Sequence, residues 1–240
     1  MHTYPVVKGK IQQAIARARP CWFLFLKRDQ LLLVLSTVQF VLFVPLAWWA
    51  HKHPRPPVEL AMTHVLQKKR SPFLQLVIRI VSTLTGSSAS LNVLVVPTAL
   101  VLWARRLRLE AIMTVGISWM STFVRALIRQ VIYRPRPNPL LVHLSTRKQT
   151  KSFPSGHVTS SFAFWGWLFA LGRLQRQRSR PWQKALLSIP VLCVVLVGPT
   201  RIYLGDHWTT DVLGGYLFGG TWLSLSLWLY LTLQKKRVLL

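Results

Sequence analysis

Carboxylates are scarce in this sequence: Asp and Glu number 5 against 31 Lys and Arg, a formal charge of +26 over 240 residues. With so few acids, and no HExxH-type pair, there is no carboxylate cluster to hold a cation. No cofactor and no metal are therefore expected. Cysteine is as sparse. Cys21 stands in a basic N-terminal segment and Cys193 inside an apolar run, so the two make poor disulfide partners and lack metal-site spacing. Residues 1–29 are too long and too basic before the first apolar run to read as a cleaved leader. The first apolar run is thus expected to be retained.

What the chain does have is apolar residues, 51% of the total, gathered in blocks. Leu31 to Ala50 is 20 residues without a charge, enough to cross about 30 Å of hydrocarbon as a helix. Val212 to Leu233 is a second such run. The expected class is an all-α, polytopic membrane protein. Six transmembrane helices are read at about 31–50, 87–103, 110–128, 155–173, 183–200 and 210–233. Between the first two, residues 58–85 mix Lys68, Lys69, Arg70 and Arg79 with apolar side chains, which suits an interfacial amphipathic helix or a re-entrant element. The division is then a basic cytoplasmic segment over 1–30, a membrane domain over 31–233 and a basic cytoplasmic tail over 234–240.

A charge of +26 raises nucleic acid as a partner. The basic residues, however, lie between apolar blocks rather than along one soluble face. They are expected to flank membrane helices and meet anionic headgroups, with the bilayer and not nucleic acid as the partner. Six spans place the N-terminal segment, Arg105–Arg108, Arg173–Lys184 and Lys235–Arg237 on one face, which the positive-inside rule makes cytoplasmic. The residues after the third span, before the fourth and after the fifth then share the outer face. That face is also basic, carrying Arg129, Arg134, Arg136, Arg147, Lys148 and Lys151. Orientation does not require this second set.

Three stretches meet on the outer face. Arg129 and Arg136 close the third span, Pro154-Ser155-Gly156-His157 opens the fourth, and Thr200-Arg201 through His207 to Asp211 joins the fifth to the sixth. Guanidinium forks match phosphate oxygens, so Arg129, Arg136 and Arg201 are candidate phosphate ligands. Arg134 fits either that cluster or a lipid headgroup. Ser155 is a natural N-cap, the free amides of a first helical turn attract anions, and Gly156 allows close approach to the backbone. His157 lies in that first turn. His207 and Asp211 are four residues apart and share a helix face. A carboxylate there would fix the imidazole tautomer and strengthen its other nitrogen as a nucleophile. Two histidines, one carboxylate and an arginine cluster form a set for phosphoryl transfer.

At these residues the chain resembles the type-2 phosphatidic acid phosphatase superfamily. Its three motifs correspond to Arg129-x6-Arg136-Pro137, Pro154-Ser155-Gly156-His157 and Thr200-Arg201-x5-His207-x3-Asp211, with Arg129 in place of a lysine and Thr200 in place of a serine. The resemblance implies a metal-independent phosphatase working through a phosphohistidine. His207 would be the nucleophile, Asp211 its orienting partner and His157 the general acid. Arg129, Arg136, Ser155, Gly156 and Arg201 would hold the phosphate. It further implies a lipid substrate such as undecaprenyl pyrophosphate, phosphatidic acid or phosphatidylglycerol phosphate, handled at the extracytoplasmic face of the plasma (inner) membrane. Transfer to another acceptor instead of water, or lipid binding and transport without catalysis, are the competing functions. The GxxxG pattern Gly215–Gly219 is read as close helix packing within the chain rather than dimerisation.

Overall fold

The computed structural model describes residues 28–68, 71–86, 88–137, 142, 151–174 and 187–238. Among these residues there are eight helices and no strand. They are α1 (Arg28–Lys52), α2 (Pro57–Lys68), α3 (Pro72–Leu84), α4 (Ser88–Ala104), α5 (Arg108–Val131), α6 (Gly156–Leu174), α7 (Ser188–Tyr203) and α8 (Thr209–Val238). Helix is the only form in which a single apolar segment satisfies its own backbone without water. Three helices are long and apolar enough to cross a membrane: Arg28–Lys52, Arg108–Val131 and Thr209–Lys236. Three shorter helices are also apolar, over Pro72–Leu84, Leu91–Ala104 and Ser188–Tyr203.

The outside of the helix assembly carries many large apolar side chains. On α1, Val38, Phe40, Val41 and Leu42 are all half or more exposed, an outward surface suited to lipid. The interior is closed by large side chains anchored through single polar atoms. Trp167, fully buried on α6, donates its indole N–H to Thr114 Oγ1 of α5 at 2.9 Å. Trp222 of α8 donates to the Ile117 carbonyl at 3.0 Å. Helix α8 is central and packs on α1, α5, α6 and α7.

Close approach of α6 and α8 depends on the GxxxG pair. A Cβ on Gly215 would stand 3.1 Å from the Ser155 carbonyl oxygen, and one on Gly219 would stand 2.9 Å from Phe162 Cβ. The pattern is used inside the chain, between two helices that both carry site residues.

Polar contacts sort the helix ends into two groups. At one end Lys235 of α8 pairs with Asp29 of α1, and Tyr230 of α8 donates to Glu110 of α5 at 2.8 Å. At the other end lie the close of α5, the start of α6, the close of α7 and the start of α8. The three motif stretches therefore share one end, opposite Arg28, Arg105–Arg108 and Lys235. Most of the remaining basic residues of the N-terminal segment and of the 173–184 connection fall outside the described residues, as do Arg147 and Lys148.

One expectation needs refinement. Residues 58–85 form two helices, not one element. Ser71 is the break: its hydroxyl accepts the Leu74 amide at 3.1 Å as an N-cap, and Pro72 follows in the first helical turn.

Candidate active site

The start of α8 sets the position of the key pair. Asp211 is in the first turn of α8, and its Oδ2 accepts the backbone amide of Trp208 at 3.0 Å, the reciprocal contact of a capping box. His207 stands just before, with Nδ1 3.4 Å from Asp211 Oδ2. That is ion-pair range without the alignment of a hydrogen bond. Both side chains are fully buried.

Arg136 approaches the other side of the ring, its Nη1 lying 3.3 Å from His207 Nε2. A guanidinium can only donate. The contact therefore makes Nε2 the lone-pair nitrogen and leaves the proton on Nδ1, toward Asp211. Burial, then the charges of Arg136, Arg129 and Arg201, hold the imidazole pKa well below its ordinary value, so His207 is neutral near pH 7. A neutral, oriented imidazole with its free nitrogen among arginines is arranged to attack an anion.

The arginines come from three elements. Arg129 ends α5 and donates to the Pro154 carbonyl at 3.1 Å. Arg136, in the following loop, donates to the Asp206 carbonyl at 2.6 Å, and burial lowers its pKa. Arg201, in the last turn of α7, contacts Asp206 Oδ2 at 3.4 Å and bonds the Ser82 hydroxyl of α3. Thr200 turns away, donating to the Val197 carbonyl at 2.7 Å.

Helix α6 begins beside them. The Ser155 amide donates to the Asp211 carbonyl at 2.9 Å, tying the two helix starts together. Its carbonyl accepts the first helical bond, from Thr159 at 3.0 Å. Ser155 thus occupies the N-cap by backbone, but its buried hydroxyl caps nothing and has no partner among the described residues. An orphaned hydroxyl beside a helix N-terminus suits a bound anion. His157 lies in the same first turn, half-buried. Every residue expected at the site is accordingly at one end of the fold.

Sequence reasoning missed Arg125 and Glu59 and left the role of Arg134 open. Arg125 is buried on α5, one turn before Arg129, and lies against Gly156, where a Cβ would stand 2.9 Å from its Nη1. The four-residue spacing from Arg129 was the available signal. Arg134 is fully buried: Nη1 donates to Asp211 Oδ1 at 2.7 Å and Nη2 to Glu59 Oε2 at 2.9 Å. It also lies over the Trp208 ring, 5.7 Å from the centroid. Glu59, from α2, completes the group by accepting from Thr210 Oγ1 at 2.6 Å. Burial raises the pKa of this carboxyl, while the Thr210 hydrogen bond and the Arg134 charge oppose the rise.

Counted formally, five guanidinium groups (Arg125, Arg129, Arg134, Arg136, Arg201) face three carboxylates (Glu59, Asp206, Asp211), a surplus of +2 among the described residues. That is the complement of a phosphate monoester dianion.

Fold and site together define an integral membrane protein with a buried histidine–carboxylate pair in an arginine-lined anion cradle. The sequence profile of the PAP2 superfamily matches residues 109–235, more than half of the chain, and the chain belongs to that family of membrane phosphatases. It is 28% identical over 183 residues to phosphatidylglycerophosphatase B of Bacillus subtilis, covering 75% of this chain and 87% of that one. Undecaprenyl-diphosphatase of Sulfolobus acidocaldarius is 29% identical over 136 residues, covering 53% of this chain and 58% of its own. Lipid A 1-phosphatase of Rhizobium etli is 33% identical over 112 residues, covering 44% and 43%. The match thus spans less than two thirds of the latter two relatives. Among solved structures, the PAP2-type phosphatidylglycerolphosphate phosphatase of Bacillus subtilis superposes with a TM-score of 0.68 at 24% identity, covering 80% of this chain and 93% of that one. LpxE of Aquifex aeolicus gives 0.54 at 23%, covering 72% and 97%. At these identities the superpositions establish the fold.

Proposed function

We propose that this chain is a multi-pass phosphatase of the plasma (inner) membrane that hydrolyses a lipid phosphate or diphosphate through a phosphohistidine on His207. The observation that carries the reading is the two-sided environment of that imidazole, with Asp211 at Nδ1 and the arginine cradle at Nε2.

In the first step Nε2 of His207 forms a bond to phosphorus as the bond from phosphorus to the lipid oxygen breaks. His157 gives its proton to the departing oxygen. Asp211, in ion-pair range of Nδ1, stabilises the ring as it gains positive charge. Arg129, Arg136 and Arg201, with the Ser155 hydroxyl and the amides at Gly156, hold the non-bridging oxygens as charge redistributes. In the second step His157, now neutral, takes a proton from water. The hydroxyl bonds phosphorus, the phosphorus–nitrogen bond breaks, and phosphate leaves with His207 neutral again.

The substrate class is a glycerolipid phosphate or a polyprenyl diphosphate. Its tail stays among apolar helix walls while the headgroup enters the cradle. Similarity to phosphatidylglycerophosphatase B across most of both chains supports the glycerolipid arm. Six spans, α1 and α4–α8, with α2 and α3 lying at the interface, put both termini in the cytoplasm and the cradle outside. The division into a basic segment at 1–30, the membrane domain at 31–233 and a basic tail at 234–240 follows. Separation of the site end from Arg28, Arg105–Arg108 and Lys235 supports this orientation.

The test is phosphate release from phosphatidylglycerol phosphate, phosphatidic acid and undecaprenyl diphosphate by purified protein, with EDTA present. Wild type is expected to turn over at least one of them, and His207→Ala none. Full activity in the variant would refute the mechanism.

A further inference from the structure

Helix α2 has two faces with different tasks. Glu59, Thr63 and Gln67 follow each other at intervals of four and point to the protein. Glu59 is only 4% exposed, Thr63 is fully buried, and Gln67 Nε2 donates to the Tyr203 carbonyl at the end of α7 at 2.8 Å. About a third of a turn round the helix, Val58, Met62, Val65 and Leu66 form an apolar row at the i, i+4, i+7, i+8 spacing of one helix face. That row faces outward, with Val58 70% and Val65 60% exposed.

What covers the row is decided by its surroundings. It continues onto Phe73, Leu76 and Ile80 of α3, which are also exposed. The helix lies at the end of a membrane assembly whose outward surface is apolar, between the close of α1 and the start of α3. A short helix with one apolar row and a polar inner face, placed at such an end, lies in the interface between headgroups and acyl chains.

The inner face reaches the chemistry through one residue. Arg134 bridges Glu59 and Asp211, at 2.9 and 2.7 Å, with every partner almost fully buried. Without Glu59, Arg134 keeps Asp211 as its one carboxylate, and its Nη2 keeps only the 3.5 Å contact to the His53 carbonyl. Asp211 would then share its oxygens differently between Arg134, Trp208 and His207. Thr210, beside Asp211 in the first turn of α8, also donates to Glu59, so one carboxylate braces both Arg134 and the α8 start.

We infer that α2 is a lipid-interface clamp on the catalytic pair: its apolar row rests in the bilayer surface, while Glu59 holds, through Arg134, the carboxylate that orients His207. The inference rests on the phosphatase reading above and adds to it a positioning residue outside all three motifs. It also gives the bilayer a part in assembling the site.

The experiment uses full-length protein in proteoliposomes. Val58→Cys in a variant with Cys21 and Cys193 replaced, carrying a fluorophore, should be quenched by lipids brominated near the headgroup; no quenching overturns the lipid seat. Glu59→Gln should lower kcat about tenfold to a hundredfold on both phosphatidic acid and p-nitrophenyl phosphate, the scale of a misplaced reacting group. KM and the unfolding temperature should stay close to wild type. Its affinity for orthovanadate, measured by calorimetry in detergent, should fall as well. The double variant Val58→Ser/Val65→Ser leaves every buried contact intact and should lower kcat in the same direction. Wild-type kcat in both variants, with an active wild type, overturns the clamp and leaves the phosphatase reading standing. A wild type that neither cleaves these substrates nor binds orthovanadate removes both.

Discussion

At the scale of single residues, His207 meets a carboxylate on one nitrogen and a guanidinium near the other. Burial and three arginines hold its pKa well below the ordinary value. A histidine lowered in this way is neutral above its shifted pKa and charges only below it. We predict that the acid limb of log kcat/KM that belongs to His207 lies at lower pH than an ordinary histidine would give. Replacing Arg136 by Gln removes one of the lowering charges and should move that limb upward. A pH profile of both proteins checks the direction. His157→Ala should cost about a hundredfold to ten-thousandfold on a lipid phosphate, the usual worth of a positioned acid. The deficit should shrink with a phenolic leaving group that departs without a proton, as a substrate series would show. Arg125→Ala should weaken kcat/KM by roughly tenfold to a hundredfold, as expected for one charged hydrogen-bonding group.

The same residues show how much of the site the sequence contained. Arg129, Arg136, Ser155, Gly156, His157, Arg201, His207 and Asp211 could be read because each sits at a helix end or in the short stretch beside one, where local spacing limits its neighbours. Arg134 and Glu59 could not. Their contact joins positions 75 residues apart, and its only trace in the sequence is that one of five acids falls in a weakly patterned segment. Arg134 had been weighed as a phosphate or headgroup ligand; its guanidinium pairs instead with two buried carboxylates.

Among elements, the α6–α8 contact carries the greatest demand for precision, since it brings His157 and the His207–Asp211 pair to one place. Gly219→Val would bring a side chain to 2.9 Å from Phe162 Cβ and 3.2 Å from the Thr159 carbonyl oxygen. Overpacking of this kind costs about 1–3 kcal/mol, and the unfolding midpoint of the detergent-solubilised protein should fall. Activity should fall with it, because the same glycines set the distance between the two helix starts. The boundary at Ser71-Pro72 was legible in principle, since serine before proline is a helix-start signal. The surrounding mixture of Lys, Arg and apolar residues obscured it, and the segment read as one element. Long uncharged runs such as Leu31–Ala50 had no such ambiguity: length and composition alone specify a helix there.

For the whole molecule, charge and topology explain one another. The chain carries +26, yet it gathers a surplus of +2, on buried and half-buried groups, at one end of a helix assembly and keeps most of its other described basic groups near the surface. In the proposed topology, which follows the positive-inside rule, the end without the cradle faces the cytoplasm. A cysteine placed within residues 138–150 of a cysteine-free variant should therefore react with an impermeant thiol reagent on intact cells. Labelling only after lysis would reverse the orientation. The central claim is chemical, and trapping the covalent intermediate tests it most directly. Protein mixed with a ³²P-labelled lipid phosphate and quenched in alkali should carry label that alkali preserves and acid releases, as a phosphorus–nitrogen bond requires, and His207→Asn should carry none. Turnover by the wild type with no trapped label, or label that persists in His207→Asn, would contradict the account.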